Sequence, residues 1–190
     1  DPADCGPAFL GLCQDTQELA ADYPEAFFEP TVHRIPRPRP DRDRVAEAAA
    51  LLKTARRPLV ISGGGVRYSG AEGELAAFAQ ARGIPLVETI AGKGSVVHDH
   101  PAHIGPIGIV GSSSANAMAE EADVVLAVGT RLQDFTTGSW TAFARDARFV
   151  AINAARWDAT KHRALPVVGD ALEGLRELDA AMADWAADPA

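Results

Sequence analysis

RPLVISGGGV, Arg57 to Val66, is the stretch on which the fold turns. Leu59, Val60 and Ile61 form a short apolar run that suits a buried strand, and Gly63, Gly64 and Gly65 follow at once. A helical pattern resumes near Ala71. Strand, glycine turn and helix in that order open a parallel α/β domain. Three glycines let the backbone turn sharply, with positive φ where needed. They also leave room for a phosphate at the N-terminus of the coming helix, where N–H groups and the helix dipole favour an anion.

Working outward, the pattern stays regular. Asp41 caps an upstream helix in which Val45, Ala48, Ala49 and Leu52 share a face, and Pro58 ends it. Downstream, a helix from about Ala71 to Arg82 turns Leu75, Phe78 and Ala79 inward, and Gly83 stops it. IPLVET (Ile84 to Thr89) reads as the second strand, and Ala91 to Gly111 as glycine-rich and irregular. Ser112 to Ser114 offer caps for a third helix carrying Ala115, Met118, Ala119 and Ala122. ADVVLAVGT (Ala122 to Thr130) is the strongest strand signal, apolar throughout as strands covered on both faces are. RFVAIN (Arg148 to Asn153) and PVVGD (Pro166 to Asp170) follow. Asp170 caps a last helix with Leu172, Leu175 and Leu178, followed by Met182 and Trp185. The expected architecture is a doubly wound, Rossmann-like parallel sheet of about six strands with helices on both faces.

Composition sets further bounds. A chain of 190 residues, 47% of them hydrophobic, can bury one good core. Its formal charge of −8 argues against nucleic acid or an anionic membrane as the main partner. No apolar run approaches the roughly 20 residues of a membrane-spanning helix, and no signal peptide is evident. Cys5 and Cys13 read as free thiols of a cytoplasmic protein. The start at Asp1 without methionine suggests a fragment of something longer.

Residues 1–40 differ from the rest. GPAFLGLC (Gly6 to Cys13) reads as a buried strand, with Gln14 and Asp15 at its end. An aromatic segment with Tyr23, Phe27 and Phe28 follows. RIPRPRPD (Arg34 to Asp41) has prolines at alternate positions, which forbid a helix and favour an extended, solvated linker. The expected division is a tail of a preceding domain plus linker in residues 1–40 and the α/β domain in residues 41–190.

The motifs are partial. Gly63 and Gly65 fit the dinucleotide pattern G-x-G-x-x-G, but Tyr68 takes the third glycine's place. Glu88 ends the second strand, where a ribose-binding acid belongs. HDHPAH places His98, His100 and His103 close together, and a solvent loop is the favoured reading over a zinc site. No Lys-Ser/Thr follows the glycines, so there is no P-loop, and the serines at 112–114 do not sit on a nucleophile elbow. GTRLQDFTTGSW (Gly129 to Trp140) leaves the carboxyl end of the strongest strand, where open α/β sheets bind ligands. Its Arg131 suits a phosphate or an acidic group.

Together, GGGV, AGKGSVVHDHPAHIGPIGIVGSSSANAMAEEADVVLAVGTRLQDFTTGS, RFVAIN and LPVVGD resemble the central domain of thiamine-diphosphate enzymes of the acetolactate synthase type. The likeness spans about residues 41–185. DPADCGPAFLGLCQDTQ through RIPRPRPD, with LQDFTTGSW, is most similar to the inositol-catabolic branch, which hydrolyses a C–C bond of a cyclic diketone. The resemblance implies a scaffold domain in a cytoplasmic homo-oligomer, flanked by pyrimidine- and diphosphate-binding domains. Those domains would hold thiamine diphosphate and Mg2+. The fragment itself would be inactive, since Gly169-Asp170 is followed by Ala171 and not by the glycine of the family's GDG…N motif. Some relatives bind FAD or ADP on this domain. The corresponding positions here are Gly63, Gly64, Gly65, Gly108, Gly111, Gly129, Arg131 and Asn153, a crevice read as vestigial because Asn153 stands where flavin-binding relatives carry an acid. No catalytic residue and no metal ligand is expected. The alternative is a stand-alone module binding FAD, ADP or NAD.

Overall fold

The computed structural model describes residues 2–4 and 6–188. Six parallel strands form one sheet in the order β3-β2-β1-β4-β5-β6. They are β1 (Pro58–Ser62), β2 (Leu86–Glu88), β3 (His103–Pro106), β4 (Val124–Val128), β5 (Arg148–Asn153) and β6 (Leu165–Val168). This is the doubly wound arrangement, in which connections run outward in both directions from the β1–β4 pair. β1 and β4 are buried along their whole length, as their continuous apolar sequences require.

Side chains alternate across the sheet and build two cores. Val60, Leu126, Val150 and Ile152 face α2 (Arg42–Leu52), α4 (Glu72–Ala81) and α8 (Ala171–Ala181). Leu59, Ile61, Val125 and Ala151 face α5 (Ser113–Glu121) and the long connection that carries Leu132, the short α6 (Asp134–Thr137) and Phe143; another short helix, α7 (Arg156–Ala159), follows β5. The caps lie where the sequence puts them. Asp41 Oδ1 accepts from the amides of Asp43 and Arg44, Ser112 Oγ from Ala115, and Asp170 Oδ1 from Leu172 and Glu173.

Four expectations need correction. Residues 6–12 form no strand: they are extended and exposed, with Phe9 at 97%, and lead into a short helix, α1 (Gln14–Gln17), where a strand end was expected. Among the described residues they pair with no strand of the sheet. The helix after the glycine turn begins at once, as α3 (Gly64–Ser69), before α4 takes over near Ala71. The region 91–111 contains the sixth strand, β3, which pairs with β2 through an irregular register. The proline-rich linker is not free in solvent: Pro40 is buried and Pro38 accepts a hydrogen bond from the domain. Cys13 is a free, exposed thiol, and the expectation for Cys5 lies outside the described residues.

Candidate functional site: the crevice at the sheet switch point

Where connections diverge on either side of β1 and β4, the carboxyl ends of the strands leave a crevice. A cavity of about 310 Å3 lies there. Gly64, Gly65 and Tyr68 line it from the turn after β1, Gly129, Thr130, Arg131, Gln133 and Thr136 from the loop after β4, and Asn153 and Asp158 from the segment after β5. The N-terminal residues Pro2 and Ala3 also reach it.

The glycine turn owes its composition to close approach, not to positive φ. Gly63 has φ −107°, ordinary extended backbone, and Gly64 and Gly65 are likewise absent from the positive-φ residues. A Cβ on Gly63 would stand 2.3 Å from the Gly129 carbonyl oxygen, and one on Gly65 would stand 2.7 Å from Gly129 Cα. The two loops touch backbone to backbone. The Gly63 amide donates to Val128 O at 2.8 Å, and the Gly65 amide to Gly129 O at 2.9 Å. The Gly129 peptide therefore packs directly on the glycine turn, and the Gly65 amide expected to cradle a phosphate is spent within the fold. Gly129 is the member of this contact that does need left-handed backbone, at φ 59°.

Arg131 is mostly exposed, and its guanidinium shares one carboxylate, Asp158, with a second cation. Arg131 Nε lies 3.5 Å from Asp158 Oδ2, while Lys161 Nζ lies 2.6 Å from Asp158 Oδ1 and donates to the Arg131 carbonyl at 3.1 Å. Asp158, 15% exposed, thus sits between two cations on the floor of the crevice. Sequence reasoning missed Asp158 and Lys161; the one signal that points to them is their place just after β5. Asn153 is committed as well. Its Nδ2 donates to Thr130 O at 3.0 Å and its Oδ1 accepts from the Ala155 amide at 2.9 Å.

Gly108 and Gly111 lie apart from the cavity lining. They form a tight turn before α5, held at two points by Asn116, whose Oδ1 accepts from Gly108 N and whose Nδ2 donates to Gly108 O. A Cβ on Gly108 would strike the Phe135 carbonyl. So six of the eight expected positions (Gly63, Gly64, Gly65, Gly129, Arg131 and Asn153) gather at the switch point, and these two support it from one side. Glu88 does not face the crevice as a ribose acid would. It is 2% exposed, its Oε2 accepts from the Gly94 amide at 2.9 Å, and its Oε1 faces Lys93 Nζ and His103 Nε2 at 3.4 and 3.5 Å. His103 consequently leaves the expected solvent loop: it opens β3 with a side chain only 10% exposed. His98 is exposed and His100 half-buried.

The residues present do not fit a magnesium–diphosphate site. Gly169-Asp170-Ala171 is the one partial match to such a motif, and Asp170 is 2% exposed. Its Oδ1 caps α8, and its Oδ2 takes hydrogen bonds from Ser69 Oγ at 2.9 Å and Arg37 at 3.1 Å. No group of three or more His, Cys, Asp or Glu side chains is arranged to hold a metal ion among the described residues.

The family described as "Thiamine pyrophosphate enzyme, central domain" matches residues 45–178. The chain belongs to this family. Among similar curated proteins, the 3D-(3,5/4)-trihydroxycyclohexane-1,2-dione hydrolase of Geobacillus thermodenitrificans is 42% identical over 185 residues, which cover 97% of this chain and 29% of that protein. The proteins of the same name from Listeria monocytogenes and Bacillus subtilis are each 44% identical over 94% of this chain and 28% of their own length. This central-domain chain therefore spans under a third of the curated relatives it matches. A candidate thiamin diphosphate-dependent enzyme from Mycobacterium smegmatis has an X-ray structure that superposes with a TM-score of 0.65 at 23% identity, covering 80% of this chain and 30% of that one. It shares the fold.

Proposed function

We propose that this central domain serves a thiamine-diphosphate-dependent hydrolase that opens trihydroxycyclohexane-1,2-dione to 5-deoxy-glucuronate in inositol breakdown. The alignment to hydrolases of that name over nearly the whole chain, residues before the α/β domain included, supports this reading. Thiamine diphosphate supplies the carbanion chemistry of such enzymes. Among the described residues no group of three or more His, Cys, Asp or Glu side chains is arranged for a metal ion, so in this reading flanking pyrimidine- and diphosphate-binding domains of the same enzyme hold both the cofactor and Mg2+. The role of this domain is then architectural, with residues 41–190 as the folded scaffold and residues 1–40 as the end of the preceding domain and a linker. Cytoplasmic location and a homo-oligomer belong to the same proposal.

The crevice at Gly63, Gly64, Gly65, Gly129, Arg131 and Asn153 is read as an inherited nucleotide fold retained for its shape. What supports this is that the Gly65 amide, the Asn153 amide and the Arg131 cation are each already partnered inside the protein. The alternative, a module binding FAD, ADP or NAD, draws on the strand order and the 310 Å3 cavity.

Domain replacement tests the hydrolase reading. Residues 45–178 would be exchanged into the Bacillus subtilis relative, and ring opening of the diketone measured. Retained turnover in an assembled chimera supports the proposal. An assembled, cofactor-loaded chimera that leaves the diketone intact counts against it.

A further inference from the structure

We infer that Arg37 is a positioning residue: its ion pair with Asp170 fastens the proline-rich linker to the β6–α8 turn and sets where residues 6–35 leave the α/β domain. The docking is built from several contacts. Arg37 donates to Asp170 Oδ2 at 3.1 Å, and the Asp170 amide donates back to Pro38 O at 2.8 Å. Pro40 is buried against Gly169, where a Cβ would stand 2.9 Å from Pro40 N and 3.0 Å from Pro38 O. Arg39 adds an outer ion pair with Glu173 at 2.9 Å. The alternation Arg-Pro-Arg-Pro thus has a mechanical use. Prolines keep the segment extended and spare it unpaired N–H groups, and the arginines between them reach the start of α8.

Asp170 can play this part because it has more than one task. Oδ1 satisfies the first amides of α8, and Oδ2 takes both Ser69 from α3 and Arg37 from the linker. A buried carboxylate so placed makes charge-assisted hydrogen bonds, stronger than neutral ones. Removing Arg37 leaves that carboxylate still bonded to Ser69 and the helix, so the domain keeps its fold while the linker loses its anchor. The linker also forms a wall of the molecule's crevice region. Ile35 and Asp170 border a cavity of about 150 Å3 together with Gly65 and Asn153.

Amide hydrogen exchange on the 190-residue chain separates undocking from loosening of the fold. The Asp170 amide is protected by Pro38 O, whereas its neighbour Gly169 donates to Asn153 O, a contact independent of the linker. Arg37→Ala should lower protection at Asp170 by roughly tenfold, the scale of one charged hydrogen bond, and leave Gly169 unchanged. Arg37→Lys should recover part of the loss. Asp170→Asn retains a good helix cap but not the charge, so adding it to Arg37→Ala should cost no further linker protection. Unchanged protection at Asp170 in Arg37→Ala would overturn the inference. So would an equal fall at Gly169, or full additivity in the double variant.

Discussion

Asn153 donates its Nδ2 to the Thr130 carbonyl at 3.0 Å, tying the end of β5 to the loop after β4 across the crevice. The same side chain accepts the Ala155 amide at 2.9 Å, so one amide serves as both donor and acceptor. An acid here has no proton to give the carbonyl at neutral pH. Asn153→Asp should therefore cost about 1–3 kcal/mol, since it sets an acceptor against an acceptor. Urea unfolding of the two forms measures the difference, and equal stability would mean that the clamp is not formed.

The glycine turn makes a sharper contrast between neighbours. Gly65→Ala must force a Cβ to within 2.7 Å of Gly129 Cα, with backbone on both sides and nothing flexible to give way. A loss of about 1–3 kcal/mol or more is expected. At Gly64 the nearest atom is Ala91 Cβ at 3.2 Å, so the same substitution should cost under about 1 kcal/mol. Chemical denaturation of both variants checks the order, and the reverse ranking would contradict the packing described.

Acid should weaken the amino end of the sheet through Asp123. Burial pushes its carboxyl upward, but the amides of Arg56 and Arg57, at 2.8 and 3.0 Å, outweigh that and hold it below the ordinary aspartate value of 3.8. A lowered carboxyl pKa gives stability that is complete above the unfolded value and lost as pH falls through the folded one. Asp123→Ala should cost about 1–2 kcal/mol at pH 7. Its deficit relative to the unaltered chain should shrink as pH drops below 3.8, which unfolding curves at several pH values would show.

His162 carries a second pH dependence. Its ring stacks on Trp140, and its backbone is left-handed at φ 56°. Desolvation there, with the Lys161 charge adding to it, holds its pKa below the ordinary 6.5. The unfolded chain then binds the proton more readily. The contribution to stability is full above pH 6.5 and is lost as pH falls through the folded value. His162→Asn, which tolerates the same backbone, should lose less stability between pH 7.5 and 5.5 than the unaltered chain. An identical slope would place the titration elsewhere.

What the sequence disclosed and what it hid follow one physical division. β4, α2 and α8 were readable because their signals are local: a continuous apolar run, and aspartate caps followed by helical periodicity. β3 was hidden because it is a short edge strand containing Gly105 and Pro106, residues that weaken strand propensity. α3 opens with two glycines, poor helix formers, and follows directly from the contact with Gly129. The linker's anchor joins Arg37 to Asp170 across 133 positions, which no window of sequence contains. Residues 6–12 show the converse: strand composition without a strand, because pairing needs an edge. At the crevice, the positions could be named, but their chemistry could not. That Arg131 shares Asp158 with Lys161, and that Asn153 bonds Thr130, depends on distances between separate loops.

The most direct test is thermal unfolding of the purified chain with ADP, FAD or NAD at about 1 mM, read together with its colour. A ligand that binds only the folded state raises stability by mass action, by about 2.7 kcal/mol at a hundredfold excess over its Kd. If the polar groups at the switch-point crevice are kept by their partners inside the protein, the Gly129 peptide, the Asn153 clamp and the Asp158 ion pairs, the midpoint should not move with any of the three and the protein should be colourless. A rise in the midpoint, or a yellow protein that carries flavin through purification, would contradict a structural crevice and make this domain a nucleotide site.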